Sequence, residues 1–315
     1  MIHITTKDIK KYIPYLQVEE GHTAVTIGNF DGMHRGHMTL MEATASYAKT
    51  HGLLSAVFSF APHPREVIQG TILPHIFTSL EKERFVKKLG IDLFIEYPFD
   101  AEFAGRSPQF FLEEILKKQL QAKAVFVGEN YRFGKKGAGD TNLMQSFGED
   151  NGIHVHIQKL LSKNGITINS TKVRETIAAG DITAANYMLG RPFSIAAFVV
   201  PGDQRGRKLG FPTANIIPAD PKKILPKLGV YVTTTIIEGK ERASITNVGY
   251  NPTFEGDHIV IETFILDFSQ DIYDEHIEVR FLERIRDEKK FDSMDDLIKQ
   301  ITKDVNYARQ HHGLM

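Results

Sequence analysis

The 315-residue chain is 42% hydrophobic and 24% charged, which is ordinary for folded globular protein and leaves room for two domains with their own cores. A formal net charge of −1 excludes the basic excess of a general nucleic-acid binder. With no cysteine, the chain has no disulfide, thiolate metal site or cysteine nucleophile. It lacks a signal-peptide apolar core and any run of eighteen apolar residues, so we predict a cytoplasmic protein without a membrane or nucleic-acid partner.

The first predicted unit is a strand over 23–27, a glycine-bearing turn over 28–37 and a helix over 38–49. Unpaired backbone N–H groups and the helix dipole would face the turn and favour a phosphate group. His34 and His37 lie on either side of Gly36, and imidazole can donate hydrogen bonds to phosphate and stabilise developing charge. An ordinary helix start is the alternative interpretation.

Short apolar runs and helical stretches alternate through the rest of the first half. This alternation predicts a parallel sheet covered by helices on both faces, with ligands at the carboxyl ends of its strands. The predicted strands are 55–60, 93–97, 124–128 and 154–160, and the predicted helices include 80–89 and 108–120.

Polar side chains follow two of these strands. His63 and Arg65 lie in a proline-bounded loop, and Asn130, Arg132 and Phe133 lie in a glycine-rich loop over 128–140. Aromatic and cationic side chains suit a planar ring that bears phosphate, although a plain turn and a solvated loop remain alternatives.

A further helix is predicted to begin near Ser170 and Thr171, which can cap its N-terminus. Arg174, one turn into the helix, can reach an anion that this N-terminus attracts, although N-caps without a ligand are frequent. A short helix over 182–189 ends at Gly190, and Arg191-Pro192 cannot readily continue it. We therefore predict domains over 1–190 and 191–315.

The second half has a period of two, which predicts strands over 193–200, 229–237, 241–248, 259–268 and 277–281. Strands without intervening helices predict a small antiparallel barrel or sandwich. A capping box at Ser293 opens a final helix, whose apolar face is predicted to pack on the strands.

A second group of polar residues lies in this half. Gly206, Arg207 and Lys208 suit a flexible cationic flap over phosphates, and Thr213 and Asn215 supply oxygen ligands for Mg²⁺. A basic surface loop is the alternative interpretation.

Glu262 is a carboxylate within the apolar run 260–264, where an unpaired charge is costly. In kinase chemistry such a group accepts the proton of the substrate hydroxyl. A glutamate that faces water from an edge strand is the alternative.

Several motifs together resemble one family. Gly28-x-Phe30-Asp31-Gly32-x-His34-x-Gly36-His37 resembles the His-x-Gly-His nucleotidylyltransferases and, more narrowly, the start of the bacterial bifunctional riboflavin kinase/FAD synthetase family. The run from Gly206 to Asn215, Asn247-Val248-Gly249, Glu262 and Arg284-x-Arg286-x-Glu288-x-x-Phe291 resemble the riboflavin kinase module. The resemblance covers both predicted domains almost end to end.

The resemblance implies a Rossmann-like nucleotidylyltransferase domain with a parallel sheet, then a small antiparallel β-barrel with a C-terminal helix. The implied activity is phosphorylation of riboflavin by ATP to FMN, then adenylylation of FMN to FAD, with Mg²⁺. The implied catalytic residues are His34, His37, Arg174 and Glu262. The implied ATP contacts are Gly28, Phe30, Asp31, Gly36, Ser170, Thr171, Gly206, Arg207, Lys208, Thr213 and Asn215, of which Thr213 and Asn215 also hold the metal. The implied flavin contacts are His63, Arg65, Asn130, Arg132 and Phe133.

Two positions depart from the family pattern. Asn130 replaces an aspartate, and Asn169 replaces a serine before Ser170-Thr171. An enzyme with one working activity and a flavin-binding regulator therefore remain alternatives. The expected partners are small-molecule substrates only, in a monomer or weak homo-oligomer.

Overall fold

The computed structural model describes residues 1–12, 22–163, 166–202, 206, 209–253 and 256–314. The chain divides into two compact units, Met1–Ser170 and Thr171–Met315. This division falls before the predicted domain boundary after residue 190, and that boundary stays a prediction.

The first unit is built on a six-stranded sheet in the order β1-β4-β3-β2-β5-β6, and every neighbouring pair is parallel. The predicted parallel sheet is therefore confirmed. The strands are β1 Ile2–Ile4, β2 Thr23–Ile27, β3 Leu54–Ala61, β4 Leu93–Pro98, β5 Ala122–Gly128 and β6 His154–Gln158.

Helices connect these strands. They are α1 Arg35–His51, α2 Pro64–Gln69, α3 Ser79–Lys88, α4 Ala101–Ala104, α5 Pro108–Phe110 and α6 Thr141–Asn151. A π-helical segment, Phe111–Gln119, continues α5, and a two-stranded hairpin pairs β7 Ser162–Lys163 with β8 Ile166–Thr167. Helix α1 begins three residues before the predicted start because the His34 side chain caps it.

Alternation along the strands divides the apolar side chains between the two faces of the sheet. Val25 and Val125 belong to the larger core, while Ala24 and Ala124 pack with Leu40 of α1. Because both faces bury apolar side chains, neither face of the central strands is open to solvent, as is usual in parallel sheets.

The second unit is a closed antiparallel barrel, which selects the barrel over the sandwich. Its strand order is β10-β13-β12-β11-β14-β9. The strands are β9 Phe193–Val200, β10 Thr213–Pro218, β11 Gly229–Ile237, β12 Lys240–Thr253, β13 Gly256–Ile265 and β14 His276–Arg286. Helices α7 Ser170–Ala179 and α8 Ile182–Leu189 precede the barrel, and α9 Met294–His311 follows it.

The barrel strands bury different side chains on their two faces. Val305 and Ala308 of α9 pack with Val230, Val232 and Ile245, which confirms that the final helix packs on the barrel. The opposite face carries buried hydroxyl groups that hydrogen-bond one another at 2.8–3.0 Å: Thr233, Thr235, Ser244, Thr246 and Thr263.

Within the described part of the chain, no helix is long and apolar enough to cross a membrane.

Candidate active sites

The turn after β2 has an unusual backbone. Phe30, Gly32 and Met33 have φ angles of +47°, +81° and +45°. Phe30 and Met33 are nonetheless almost completely buried, so their packing holds the two strained residues in this conformation. Gly28, before the turn, donates its N–H to Phe58 O at 3.1 Å and so extends the ladder with β3.

His34 and His37 are brought together at the start of α1. The two rings stack with centroids 3.6 Å apart, and His34 Nδ1 accepts the His37 backbone N–H at 3.4 Å. Since Nδ1 is the acceptor, the neutral His34 ring carries its proton on Nε2, where it can be donated elsewhere. Gly36 lies between them in the first turn of α1, so both imidazoles are at a helix N-terminus, which favours an anion.

Asp31 is buried beneath this turn. Its Oδ1 accepts the backbone N–H groups of Ile76 at 3.1 Å and Phe77 at 3.3 Å. The backbone oxygen of Asp31 accepts the Ser170 hydroxyl at 2.7 Å. The structure thus joins two predicted ATP contacts, Asp31 and Ser170, and shows that the Asp31 carboxylate has hydrogen-bond donors within the protein.

Thr171 and Arg174 lie on α7 in the second unit, where Thr171 is exposed and Arg174 is half-buried. Their predicted contacts with ATP stay predictions.

His63 and Arg65 follow β3, the strand beside β2. His63 caps the N-terminus of α2, because its Nδ1 accepts the Arg65 N–H at 3.1 Å. The Arg65 side chain is exposed. Both residues therefore lie at the carboxyl edge of the sheet, where the sequence predicted a ligand.

The loop after β5 divides the other predicted flavin contacts. Asn130 and Arg132 are exposed, and Arg132 lies 3.4 Å from Asp140. Phe133 is 6% exposed, because the loop closes on itself through backbone hydrogen bonds between Phe133 and Gly139. The Phe133 ring packs on Phe111 in the core.

Sequence reasoning missed a cluster of half-buried aromatic rings at the same edge of the sheet. Phe60 is the last residue but one of β3, and its ring lies 5.3 Å from that of Phe99, which follows β4. The Phe103 ring contacts those of Phe60 and Phe110 and so extends the cluster. The half-buried Tyr131 ring stacks on Phe133, and burial raises the pKa of its hydroxyl. The available signal was the position of Phe60 and Phe99 at the ends of two predicted strands.

In the barrel, Glu262 on β13 is directly opposite Asn215 on β10 and Asn247 on β12. Directly paired residues project to the same face, with Cβ atoms about 4.5–5.5 Å apart. Thr213, two residues before Asn215, shares that face. The structure therefore brings the predicted base and both predicted metal ligands together, on the face opposite the buried hydroxyl groups of Thr246 and Thr263.

Gly206 lies close to Thr213. A Cβ on Gly206 would meet the backbone oxygen of Phe211 and lie 3.2 Å from Thr213 Oγ1, so a side chain does not fit there. The predicted cations Arg207 and Lys208 lie outside the described residues.

The barrel site contains the oxygen donors that Mg²⁺ prefers. Among the described residues, no group of three or more His, Cys, Asp or Glu could hold a metal ion alone. Thr213 and Asn215, the two predicted ligands, instead offer a hydroxyl and an amide oxygen on the face that carries Glu262. This set fits an ion that completes its coordination with substrate phosphates and water, as Mg²⁺ usually does.

A helix N-terminus with paired histidines at the edge of a parallel sheet, together with a barrel that carries a carboxylate among oxygen donors, defines a two-domain nucleotide-dependent transferase. The family model for FAD synthetase matches residues 16–172, and the model for riboflavin kinase matches residues 189–312. The chain belongs to the bifunctional riboflavin kinase/FMN adenylyltransferase family.

Curated relatives and a solved structure agree along nearly the whole chain. The enzyme of that name from Escherichia coli is 36% identical over 300 residues, 95% of either chain. The one from Listeria monocytogenes is 36% identical over 289 residues, 90% of this chain and 91% of the relative. A crystal structure described as a macrolide-efflux protein from Streptococcus pneumoniae superposes with a TM-score of 0.87 at 32% identity, over 98% of this chain and 99% of that one.

Proposed function

We propose that the chain catalyses two successive reactions of flavin cofactor synthesis. The barrel phosphorylates riboflavin with ATP to give FMN and ADP, and the parallel-sheet unit transfers AMP from a second ATP to FMN, giving FAD and pyrophosphate. The observation that carries this proposal is the presence of both sites in one chain: the stacked His34–His37 pair, and Glu262 directly opposite Asn215.

In the kinase reaction, Glu262 accepts the proton of the riboflavin 5′-hydroxyl while that oxygen bonds to the γ-phosphorus of ATP. The bond from this phosphorus to the bridging oxygen breaks, and ADP leaves. Thr213 and Asn215 hold the phosphates together with Mg²⁺, which neutralises charge on them when bound. The close approach permitted by Gly206 lets the phosphates contact the backbone.

In the adenylyl transfer, an FMN phosphate oxygen bonds to the α-phosphorus of ATP, and pyrophosphate leaves. The attacking phosphate is already ionised, so the reaction requires no protein nucleophile and no strong base. His34, His37 and the N-terminus of α1 orient the phosphates and stabilise charge that develops on them.

The flavin of FMN is proposed to lie at the carboxyl edge of the sheet. This edge carries His63 and Arg65 after β3, and Asn130 and Arg132 after β5. The half-buried aromatic rings beside Phe60 offer flat apolar contacts. The buried Phe133 ring would contribute indirectly, because it packs beneath Tyr131 rather than facing solvent.

Incubation with riboflavin, ATP and Mg²⁺, followed by chromatography, tests the proposal. Both FMN and FAD are expected. Accumulation of FMN alone would indicate one working activity, and bound flavin without turnover would indicate a regulator. A cytoplasmic location and a monomeric or weakly oligomeric state stay predictions.

A further inference from the structure

The connection between α2 and α3, residues 70–78, is hydrogen-bonded to the His34–His37 turn through the carboxylate of Asp31. Asp31 is 3% exposed, and its Oδ1 accepts two successive backbone N–H groups, those of Ile76 and Phe77. A carboxylate that accepts two N–H donors makes stronger hydrogen bonds than a neutral acceptor. Movement of the connection away from the turn would break both of these buried hydrogen bonds.

Side-chain packing also holds residues 70–78 against the His34–His37 turn. Ile76 is fully buried, and a Cβ on Gly32 would lie 2.9 Å from its Cγ2. Gly32 also has a φ of +81°, a conformation that favours glycine. Because Gly32 has no side chain, Ile76 can pack directly against the backbone of the turn.

A second carboxylate, that of Glu66 on α2, contacts residues earlier in the same connection. Glu66 Oε1 accepts the Leu73 N–H at 3.4 Å, and Glu66 Oε2 lies 3.9 Å from His75 Nε2. Helix α2 has only six residues and begins directly after its cap His63, so Glu66 is within one turn of His63 and Arg65. Two carboxylates thus link the turn to the short helix that carries these two side chains.

We propose that Asp31 is a positioning residue: it fixes α2, and with it His63 and Arg65, relative to the His34–His37 turn. The inference rests on the proposed adenylyl transfer to FMN. Asp31 then acts on the flavin side of the reaction through residues 70–78, whereas the family resemblance implies a direct ATP contact. Glu66 contributes to the same positioning, because it links residues 70–78 to α2.

The test compares Asp31→Ala, Asp31→Asn, Glu66→Ala and the double variant Asp31→Ala/Glu66→Ala. The measurements are the KM values for FMN and for ATP in FAD formation, and the Kd of FMN from the quenching of flavin fluorescence. Asp31→Ala and Glu66→Ala should each raise the KM and Kd for FMN roughly tenfold, equivalent to about 1.4 kcal/mol. The KM for ATP should change less than threefold, a margin of about 0.65 kcal/mol.

Two further comparisons separate positioning from a general loss of structure. The amide that Asp31→Asn introduces keeps an acceptor oxygen, so this variant should retain most of the FMN affinity. The double variant should be no worse than the single ones, since both substitutions break one chain of contacts. Asp92 is the matched control. Its Oδ2 accepts the Ser55 N–H at 2.9 Å at the amino end of β3, and Asp92→Ala should leave both KM values unchanged.

A wild-type KM for FMN in Glu66→Ala, additive effects in the double variant, or a change confined to ATP would overturn the inference. If Asp31→Ala does not fold, Glu66→Ala and Asp31→Asn decide by the same criteria. A wild-type chain that makes no FAD from FMN would overturn the proposed function itself, and this inference with it.

Discussion

Asn215 lies directly opposite Glu262 across the β10–β13 ladder, and Asn247 takes the corresponding place on β12. The carboxylate is therefore bracketed by two amide side chains where three strands lie side by side. Amides can both donate to a carboxylate and accept from a ligand. Hydrogen bonds from these amides would orient the Glu262 carboxylate for the proposed proton transfer from riboflavin.

Glu262→Gln should stop FMN formation from riboflavin and spare FAD formation from supplied FMN. Glutamine keeps the shape and can hydrogen-bond, but it cannot accept the proton, so the kinase rate should fall about 100- to 10,000-fold. Separate assays of the two reactions measure this. Glu241→Gln, an exposed glutamate on β12 that pairs with Arg280, is the control and should be unchanged. A parental kinase rate in Glu262→Gln would show that Glu262 is not the base.

His37→Ala should have the opposite effect. Loss of a group that stabilises developing charge should slow FAD formation about 100-fold or more, while the kinase rate stays near that of the parent. His154→Ala is the matched control, because His154 is an exposed histidine of the same unit, on β6. Equal loss of both activities in folded His37→Ala protein would contradict the assignment of the reactions to separate units.

Asn130→Asp should raise or lower the KM for FMN more than that for ATP, by roughly tenfold, equivalent to about 1.4 kcal/mol. Asn130 is exposed after β5, so a charge placed there acts on a bound phosphate more than on the fold. Steady-state kinetics of FAD formation measure the change, and the kinase reaction is the internal control. An unchanged KM for FMN would remove this loop from the flavin site.

Asp304→Ala should destabilise the barrel unit by about 3–5 kcal/mol, because it leaves a largely buried arginine without its carboxylate. Asp304 is 3% exposed, and its Oδ2 accepts from Arg286 Nη2 at 2.7 Å, which ties α9 to β14. Urea unfolding monitored by circular dichroism measures the loss. Asp267 has a φ of +53°, so the control is Asp267→Asn, which tolerates this backbone, removes the charge of an exposed partner of Arg309 and should cost much less stability than Asp304→Ala. Equal costs would show that burial does not govern the Asp304 pair.

The sequence predicted the parts of each site that depend on local order along the chain. A strand, a glycine-bearing turn and a helix fix His34 and His37 at one helix N-terminus, so their proximity followed from spacing alone. The polar row of Thr213, Asn215 and Glu262 required the family resemblance, since the strand β10 that pairs with β13 was not among the predicted strands.

Contacts between distant segments were not predictable from periodicity. Asp31 lies in a motif typical of ligand contacts, and the sequence around it does not indicate that Ile76, 45 residues later, donates to its carboxylate. Thr233 and Thr246 alternate as outward-facing strand residues do, yet they are fully buried and satisfy each other at 2.8 Å. Phe133 lies in a loop whose composition is typical of a ligand-binding loop. Backbone hydrogen bonds between Phe133 and Gly139 close that loop, and the Phe133 ring is buried in the core.

Mixing two variants tests most directly whether the two reactions take place at separate active sites of one chain. Glu262→Gln and His37→Ala are each incubated with riboflavin, ATP and Mg²⁺, alone and together, and FMN and FAD are quantified by chromatography. Glu262→Gln alone should give little FMN or FAD in the time that the parent needs to form both, and His37→Ala alone should accumulate FMN. The mixture should form FAD, because FMN released by one variant is the substrate of the other. A mixture of folded variants that forms no FAD, although Glu262→Gln converts supplied FMN, would contradict the account.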